Sequence, residues 1–161
     1  MTSTQEEALK HFQEGYNCAE SVVLAATKNP AATAVASAFG SGLSCTEGMC
    51  GALSGGVLAL SLAKGKGARH ESETLSTEVK TLIEGFQATF GSTGCSTLLG
   101  FSLNAPDAGE KFKAKGCFTN QCSLYVKYVT EELEVLLAQL PPSLDLLPAV
   151  AGPERDFVQE W

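Results

Sequence analysis

Cysteines are the residues of this 161-residue chain whose type and spacing could do chemistry, and there are six of them. Four share one feature, because each stands at or near the start of a predicted helix. These four are Cys18, Cys50, Cys95 and Cys122. A helix start offers unpaired N–H groups and a partial positive charge, which stabilise a thiolate over a thiol. Thiolates are redox nucleophiles and soft metal ligands, so the pattern predicts thiol redox chemistry or a site for zinc, copper(I) or iron–sulfur iron.

A purely structural role is the alternative for any one of these cysteines, because free cysteine often packs as a small apolar side chain. Cys122 begins the apolar stripe of its predicted helix, so the alternative applies to it most directly. The four are flanked by Gly, Asn and Ser rather than by Leu and Ile. This polar, flexible setting favours a functional site over simple packing.

The other two cysteines, Cys45 and Cys117, each lie five residues before one of the four. Such a spacing could close a local ligand pair or disulfide, but it is longer than the C-x2-C of a zinc knuckle. The sequence has no C-x-x-C, so a thioredoxin-type dithiol is not indicated. We interpret these two as auxiliary or resolving thiols, with variable residues as the alternative.

Composition narrows the class of protein. The chain is 44% hydrophobic and 18% charged, as expected for one globular domain. Its formal net charge of −7 argues against binding to nucleic acid or to an anionic membrane surface. The first residues lack the basic and apolar regions of a secretory signal, and the most apolar run, 51–63, is too short to span a bilayer. We therefore expect a cytoplasmic protein with no membrane insertion, in which a disulfide framework is disfavoured.

Hydrophobic periodicity predicts an all-α fold, a compact bundle of about six helices with an extended C-terminal arm. The predicted helices cover 2–14, 17–28, 30–39, 50–63, 71–90 and 120–140, with a short helical piece at 95–99, a Gly/Ser loop over 40–48 and a mostly non-helical segment over 104–116. Residues 1–140 form the predicted cysteine-motif domain. Residues 141–161 form a Pro-rich arm that we expect to pack on the core or on a partner subunit.

Four landmarks in fixed order make the chain resemble a known family. They are Asn17-Cys18-Ala19-Glu20-Ser21-Val22, Cys50-Gly51-Ala52-Leu53-Ser54-Gly55, Phe90-Gly91-Ser92 ahead of Cys95, and Cys122 leading the last helix. Over residues 8–138 the sequence is similar to the putative redox-active protein family named for a C…CGAxxG…C…C pattern. A related domain occurs in split-Soret cytochromes, where it is associated with an iron–sulfur centre. The C-x-x-C-H haem attachment motif of cytochromes is absent from this sequence.

The resemblance implies that the four signature cysteines, Cys18, Cys50, Cys95 and Cys122, are the functional ones. We expect them to bind a metal centre, most readily an iron–sulfur cluster, for electron or sulfur-related transfer with a redox partner protein or a small oxidant or reductant. A homodimer is compatible with this expectation. Two alternatives stay open: a metal-free dithiol–disulfide oxidoreductase, and a zinc-stapled structural or interaction module.

A few further residues could belong to a site. Tyr16 and Tyr125 are candidates to line a cysteine pocket, and core packing explains them equally well. Lys64, Lys66 and Arg69 form a small basic cluster that could hold an anion, with a solvated turn as the stronger interpretation.

Overall fold

The structure, a computed structural model, describes residues 3–65 and 73–138. In these ranges it contains eight helices and no strand, which confirms the all-α prediction. The helices are α1 Thr4–Gln13, α2 Cys18–Thr27, α3 Pro30–Ala36, α4 Gly51–Lys64, α5 Glu73–Phe90, α6 Cys95–Leu99, α7 Ala108–Ala114 and α8 Ser123–Leu137. None of the helices in these ranges is both long and apolar enough to cross a membrane. The predicted arm over 141–161 lies outside the described residues.

Local signals in the sequence set the starts of the first three helices. Ser3 and Glu6 form a reciprocal capping box at α1, and Asn17 and Glu20 form another at α2. α3 begins at Pro30, where a missing N–H is harmless because the first N–H groups of a helix have no partner within it. These caps fix where each helix begins, and they place Cys18 at the first residue of α2.

Helices α2 and α4 pack together at the centre of the bundle, with α1, α5 and α8 around them. Small residues allow this close approach: a β-carbon on Gly55 would lie only 2.7 Å from the backbone oxygen of Ala19. The largest fully buried side chains are Phe86, Leu53, Leu60, Leu82, Leu133, Val22, Val23, Val126 and Val129. Burial of this apolar set drives folding, at about 25 cal/mol for each Å² removed from water.

The later part of the chain differs from the prediction in two places. Residues 104–116, predicted to be mostly non-helical, contain the seven-residue helix α7. The last helix was predicted from 120 and begins instead at Ser123, after a π-helical turn over Phe118–Cys122. Hydrophobic spacing locates a helical stripe but does not distinguish i+4 from i+5 hydrogen bonding, so the π turn leaves no signal in the pattern.

The predicted Gly/Ser loop is in fact a left-handed turn within Gly40–Cys45. Residues 41–45 all have φ between 53° and 65°, the conformation of a left-handed helix. This conformation costs about 1–2 kcal/mol for each residue that carries a β-carbon, so it requires support from the surrounding fold. One support is direct: the Gly48 N–H donates to the Gly42 carbonyl oxygen at 2.9 Å. The turn lies beside the cysteines, and strained backbone of this kind concentrates at functional sites.

A partly buried ion pair ties three helices together at the other end of α4. The Lys64 Nζ lies 2.5 Å from the Glu78 Oε1 on α5, with both side chains less than a fifth exposed. The same ammonium donates to the Leu136 carbonyl oxygen near the end of α8 at 2.8 Å. The Lys64 ammonium is therefore paired with Glu78 and hydrogen-bonded to α8, and it is not the exposed side chain of a solvated turn. Lys66 and Arg69, its predicted neighbours in a basic cluster, lie outside the described residues.

Replacing Lys64 with methionine is expected to lower the free energy of unfolding by about 3 kcal/mol, because Glu78 would keep a poorly solvated charge without its partner. Urea denaturation measures the change. The matched control is Lys80→Met, which breaks an exposed pair with Glu84 and should change stability by less than about 0.5 kcal/mol. Similar losses in both variants would show that the Lys64 pair contributes no more than a surface contact.

Candidate functional site

The four signature cysteines line one cavity of about 140 Å³, which we call the cysteine cavity. They come from four separate segments: Cys18 from α2, Cys50 from the residue before α4, Cys95 from α6, and Cys122 from the π turn. The rest of the wall is mainly apolar, and its large side chains are Phe12, Leu98, Leu99, Leu103, Phe112, Phe118 and Tyr125. Segments more than a hundred residues apart in the chain thus bring four thiols to one place.

Cys18 is positioned by the caps and by a missing side chain. Asn17 caps α2 and leaves Cys18 as its first residue. Hydrogen bonding from the backbone N–H groups of Ser41, in the left-handed turn, and of Ala52, in the first turn of α4, acts on the Cys18 sulfur. A β-carbon on Gly51 would stand 2.3 Å from this sulfur, so the close approach requires glycine at position 51.

Cys50 and Cys95 are held next to each other by a short antiparallel bridge in the backbone. The Cys50 N–H donates to the Thr93 carbonyl oxygen at 2.7 Å, and the Cys95 N–H donates to the Gly48 carbonyl oxygen at 3.0 Å. Both hydrogen bonds involve the cysteines' own peptide groups. Backbone hydrogen bonds therefore set the relative position of these two residues, whatever the rotamers of their side chains.

Cys122 stands immediately before α8, near a helix start as predicted, but this start has no free first turn. It is the last residue of the π turn Phe118–Cys122 and has helical dihedral angles, so the chain is already helical before it. The turn also carries Phe118, whose ring stacks on Phe12 with centroids 4.2 Å apart at the cavity wall. Single π turns inside helices recur at functional sites, and this one places a thiol and an aromatic wall residue together.

Burial controls the protonation of these thiols. The helix starts predicted stabilised thiolates, and the structure shows the opposite, because burial favours the neutral thiols. Burial, with smaller repulsion from the Cys18 charge, raises the pKa of Cys95 to about 11 and that of Cys50 to about 12. Burial likewise raises the pKa values of Cys122 and Cys18, and backbone hydrogen bonding at Cys18 offsets only part of the rise. Without a bound cation the cavity therefore holds neutral thiols at neutral pH.

Metal-free, reduced protein should consequently react slowly with iodoacetamide at pH 7.5. A pKa near 12 leaves roughly a thousandfold less thiolate at Cys50 than in an ordinary cysteine, and the rate should increase as the pH rises towards that pKa. Site-resolved mass spectrometry measures the labelling rates. Urea-unfolded protein, in which every thiol is accessible, is the control that the reagent is active. Faster labelling of any cavity cysteine than of a free thiol at pH 6.5 would mean that the helix starts outweigh burial.

Cys45 and Cys117 lie beside the cysteine cavity but do not line it. Cys117 is fully buried immediately before the π turn. Cys45 closes the left-handed turn and faces a neighbouring groove, which shares the walls Leu103 and Phe112 with the cavity. The division of the six cysteines into four and two thus has a geometric counterpart, while the chemical role of the two stays a prediction.

Several wall residues were not singled out by the sequence. Ser41 and the aromatic pair Phe12 and Phe118 carry no motif, since their place depends on the left-handed turn and the π turn. Of the two candidate tyrosines, Tyr125 lines the cavity, whereas Tyr16 lies against His11 with rings 5.7 Å apart.

Within the described residues, no three His, Cys, Asp or Glu side chains converge closely enough to hold a single metal ion.

Comparison with known proteins gives one match. A family model described as a putative redox-active protein, C_GCAxxG_C_C, matches residues 16–136. The motif in that description runs Gly-Cys-Ala-x-x-Gly, whereas residues 50–55 of this chain run Cys-Gly-Ala-Leu-Ser-Gly, so the first two positions are exchanged. No curated protein and no solved structure matches the chain. The matched range contains all four segments that line the cysteine cavity.

Proposed function

The chain belongs to the putative redox-active protein family C_GCAxxG_C_C, and on this basis we propose that it carries an iron–sulfur cluster for electron or sulfur-related transfer. Cys18, Cys50, Cys95 and Cys122 would be the ligands, one from each segment of the cavity wall. A redox partner protein or a small oxidant or reductant would exchange electrons with it, and the cytoplasm is the proposed location.

The observation that carries this proposal is the cavity between the four thiols. A single tetrahedral zinc ion holds its sulfur ligands at about 2.3 Å, so the four sulfurs would have to close in on one point. Around the cysteine cavity they instead surround an open space. Iron–sulfur clusters take four cysteine ligands and fill such a space, which favours a cluster over the zinc-stapled alternative.

The chain's own groups are suited to a reduced, anionic occupant. When bound, a cluster supplies reversible one-electron chemistry. Backbone hydrogen bonding from Ser41 and Ala52 lowers the pKa of Cys18, and that from Leu53 lowers the pKa of Cys50. Donors of this kind stabilise negative charge on sulfur and tune a redox potential. The apolar wall limits water, which protects a cluster from hydrolysis and oxidation.

A metal-free dithiol–disulfide oxidoreductase is the second candidate, and one contact favours it. Backbone hydrogen bonding from Ala52 lowers the pKa of both Cys18 and Cys50, and the Cys18 charge raises that of Cys50, as expected for neighbouring thiols. Loss of two electrons and two protons to a small disulfide would join them, releasing two small thiols. Cys18 and Cys50 would then be the working pair, with Cys95 and Cys122 as neighbours.

One experiment separates these functions. Full-length protein is purified anaerobically, and its iron, labile sulfide, zinc and visible spectrum are measured. We expect brown protein with iron and sulfide in stoichiometric amounts. Colourless protein with one zinc per chain would support the zinc-stapled module. Protein without metal, whose free-thiol count falls by two on mild oxidation, would support the dithiol enzyme and overturn the cluster.

A further inference from the structure

Tyr125 presents an unused polar group to the cysteine cavity. Its side chain is only 7% exposed, and it lines the cavity between α5 and the cysteines. Within the described residues its hydroxyl makes no hydrogen bond, although a phenol inside a protein normally finds a partner. A hydroxyl on a cavity wall that has no partner within the protein can bond to an occupant of that cavity.

The position of Tyr125 on α8 explains why it faces the thiols. It follows Cys122 by three residues, a spacing that puts both side chains on one face of the helix. Its ring is fixed by edge contacts with Phe86 and Phe90, at centroid distances of 5.6 and 4.9 Å. The ring therefore cannot turn away from the cavity without breaking two aromatic contacts.

Electrostatics agrees with this placement. Burial, followed by the charges of Cys50, Cys122 and Cys95, raises the pKa of Tyr125 to about 12. The phenol stays protonated at any physiological pH and can act as a hydrogen-bond donor.

We propose that the Tyr125 hydroxyl donates a hydrogen bond to a sulfur atom of the group held in the cysteine cavity, and so acts as a positioning and potential-tuning residue. The inference rests on the proposed function, in which that group is an iron–sulfur cluster. One added electron increases the negative charge on the sulfurs, and no proton is transferred. A donor hydrogen bond strengthens with that charge, so Tyr125 favours the reduced state.

The chain offers a matched control in Tyr128, the next tyrosine on the same helix. Its ring makes the same kind of edge contacts with Phe86 and Phe90, at 5.9 and 5.3 Å. Its hydroxyl lies against Gly85 on α5, away from the cavity, since a β-carbon on Gly85 would stand 2.8 Å from it. Tyr128→Phe therefore removes a hydroxyl from the same aromatic cluster without touching the cavity.

The test is a redox titration of cluster-loaded wild type, Tyr125→Phe and Tyr128→Phe, followed by visible absorption or electron paramagnetic resonance. Tyr125→Phe should lower the midpoint potential. A tenfold loss of the reduced form at a fixed applied potential corresponds to a shift of about 59 mV for a one-electron couple. Tyr128→Phe should leave the potential unchanged, and iron content should be equal in all three proteins.

The outcomes are distinct. Equal potentials in three cluster-loaded proteins would overturn the role of Tyr125 and leave the proposed function standing. Equal shifts in both variants would overturn it too, because the effect would then come from the aromatic cluster as a whole. Wild-type protein without iron and sulfide would overturn the proposed function, and this inference with it.

Discussion

Replacing Gly51 with alanine is expected to remove most of the iron of the proposed cluster while leaving the helices of the protein in place. The new β-carbon would stand 2.3 Å from the Cys18 sulfur and 3.0 Å from the Gly40 Cα and the Phe39 carbonyl oxygen. Two of these three atoms belong to the backbone, which shifts less readily than the end of a side chain. The Cys18 sulfur must shift by about 1 Å or more, which takes it out of the shared site.

The control for this substitution is Gly109→Ala in α7, where an added β-carbon would meet nothing within 4 Å. Iron and sulfide content, visible absorption and far-ultraviolet circular dichroism are measured for both. Alanine has the higher helix propensity, by about 1 kcal/mol, so a loss of iron in Gly51→Ala cannot come from a weaker helix. Wild-type iron content in Gly51→Ala would mean that Cys18 is not a ligand in the place described.

Serine substitution of the cysteines should divide the six into two groups. Cys18→Ser, Cys50→Ser, Cys95→Ser and Cys122→Ser should each reduce bound iron at least tenfold, because a hydroxyl does not replace a soft thiolate. Cys117→Ser and Cys45→Ser should retain most of the iron, since neither thiol lines the cysteine cavity. Iron per chain, measured after anaerobic reconstitution and desalting, gives the comparison.

Cys117→Ser is the stricter control of the two. Cys117 is fully buried, so its substitution disturbs the interior and should lower stability by about 1–3 kcal/mol without removing a ligand. If iron is lost equally from all six variants, the site includes more cysteines than four. If only Cys18→Ser and Cys50→Ser change the redox behaviour, the dithiol candidate gains support.

The regular helices of this protein could be predicted from the sequence because their signals are local. The capping boxes at Ser3 and Asn17 each join groups within four residues of one another. The apolar stripe of α8 was predicted from its spacing, and Val126, Val129 and Leu133 are fully buried as that stripe requires.

The features that shape the cavity could not be predicted in the same way. Ser41 and Leu43 carry β-carbons that oppose a left-handed turn, so their own preferences indicate a different conformation. The antiparallel bridge pairs Met49 with Gly94, which are far apart in the chain and have no strand-like sequence around them. In each case contacts made only in the complete fold override local preference.

The candidate site was likewise predicted in part. The positions and order of the cysteines along the chain predicted that four of them share one site. The structure brings these four to one cavity: Cys18, Cys50, Cys95 and Cys122. The protonation of the thiols was not predictable, because helix starts are visible in a sequence and depth of burial is not. Desolvation at Cys50 exceeds what its neighbouring N–H groups can offset.

The wide separation of the cavity's segments has a consequence for biosynthesis. Cys18 and Cys122 are more than a hundred positions apart, so the site cannot exist until nearly all of the described domain has left the ribosome. Contacts of such long range form late, after the local helices. During that interval each thiol of the nascent chain is exposed to solvent and has an ordinary acidity, so oxidation threatens the protein most before it has folded.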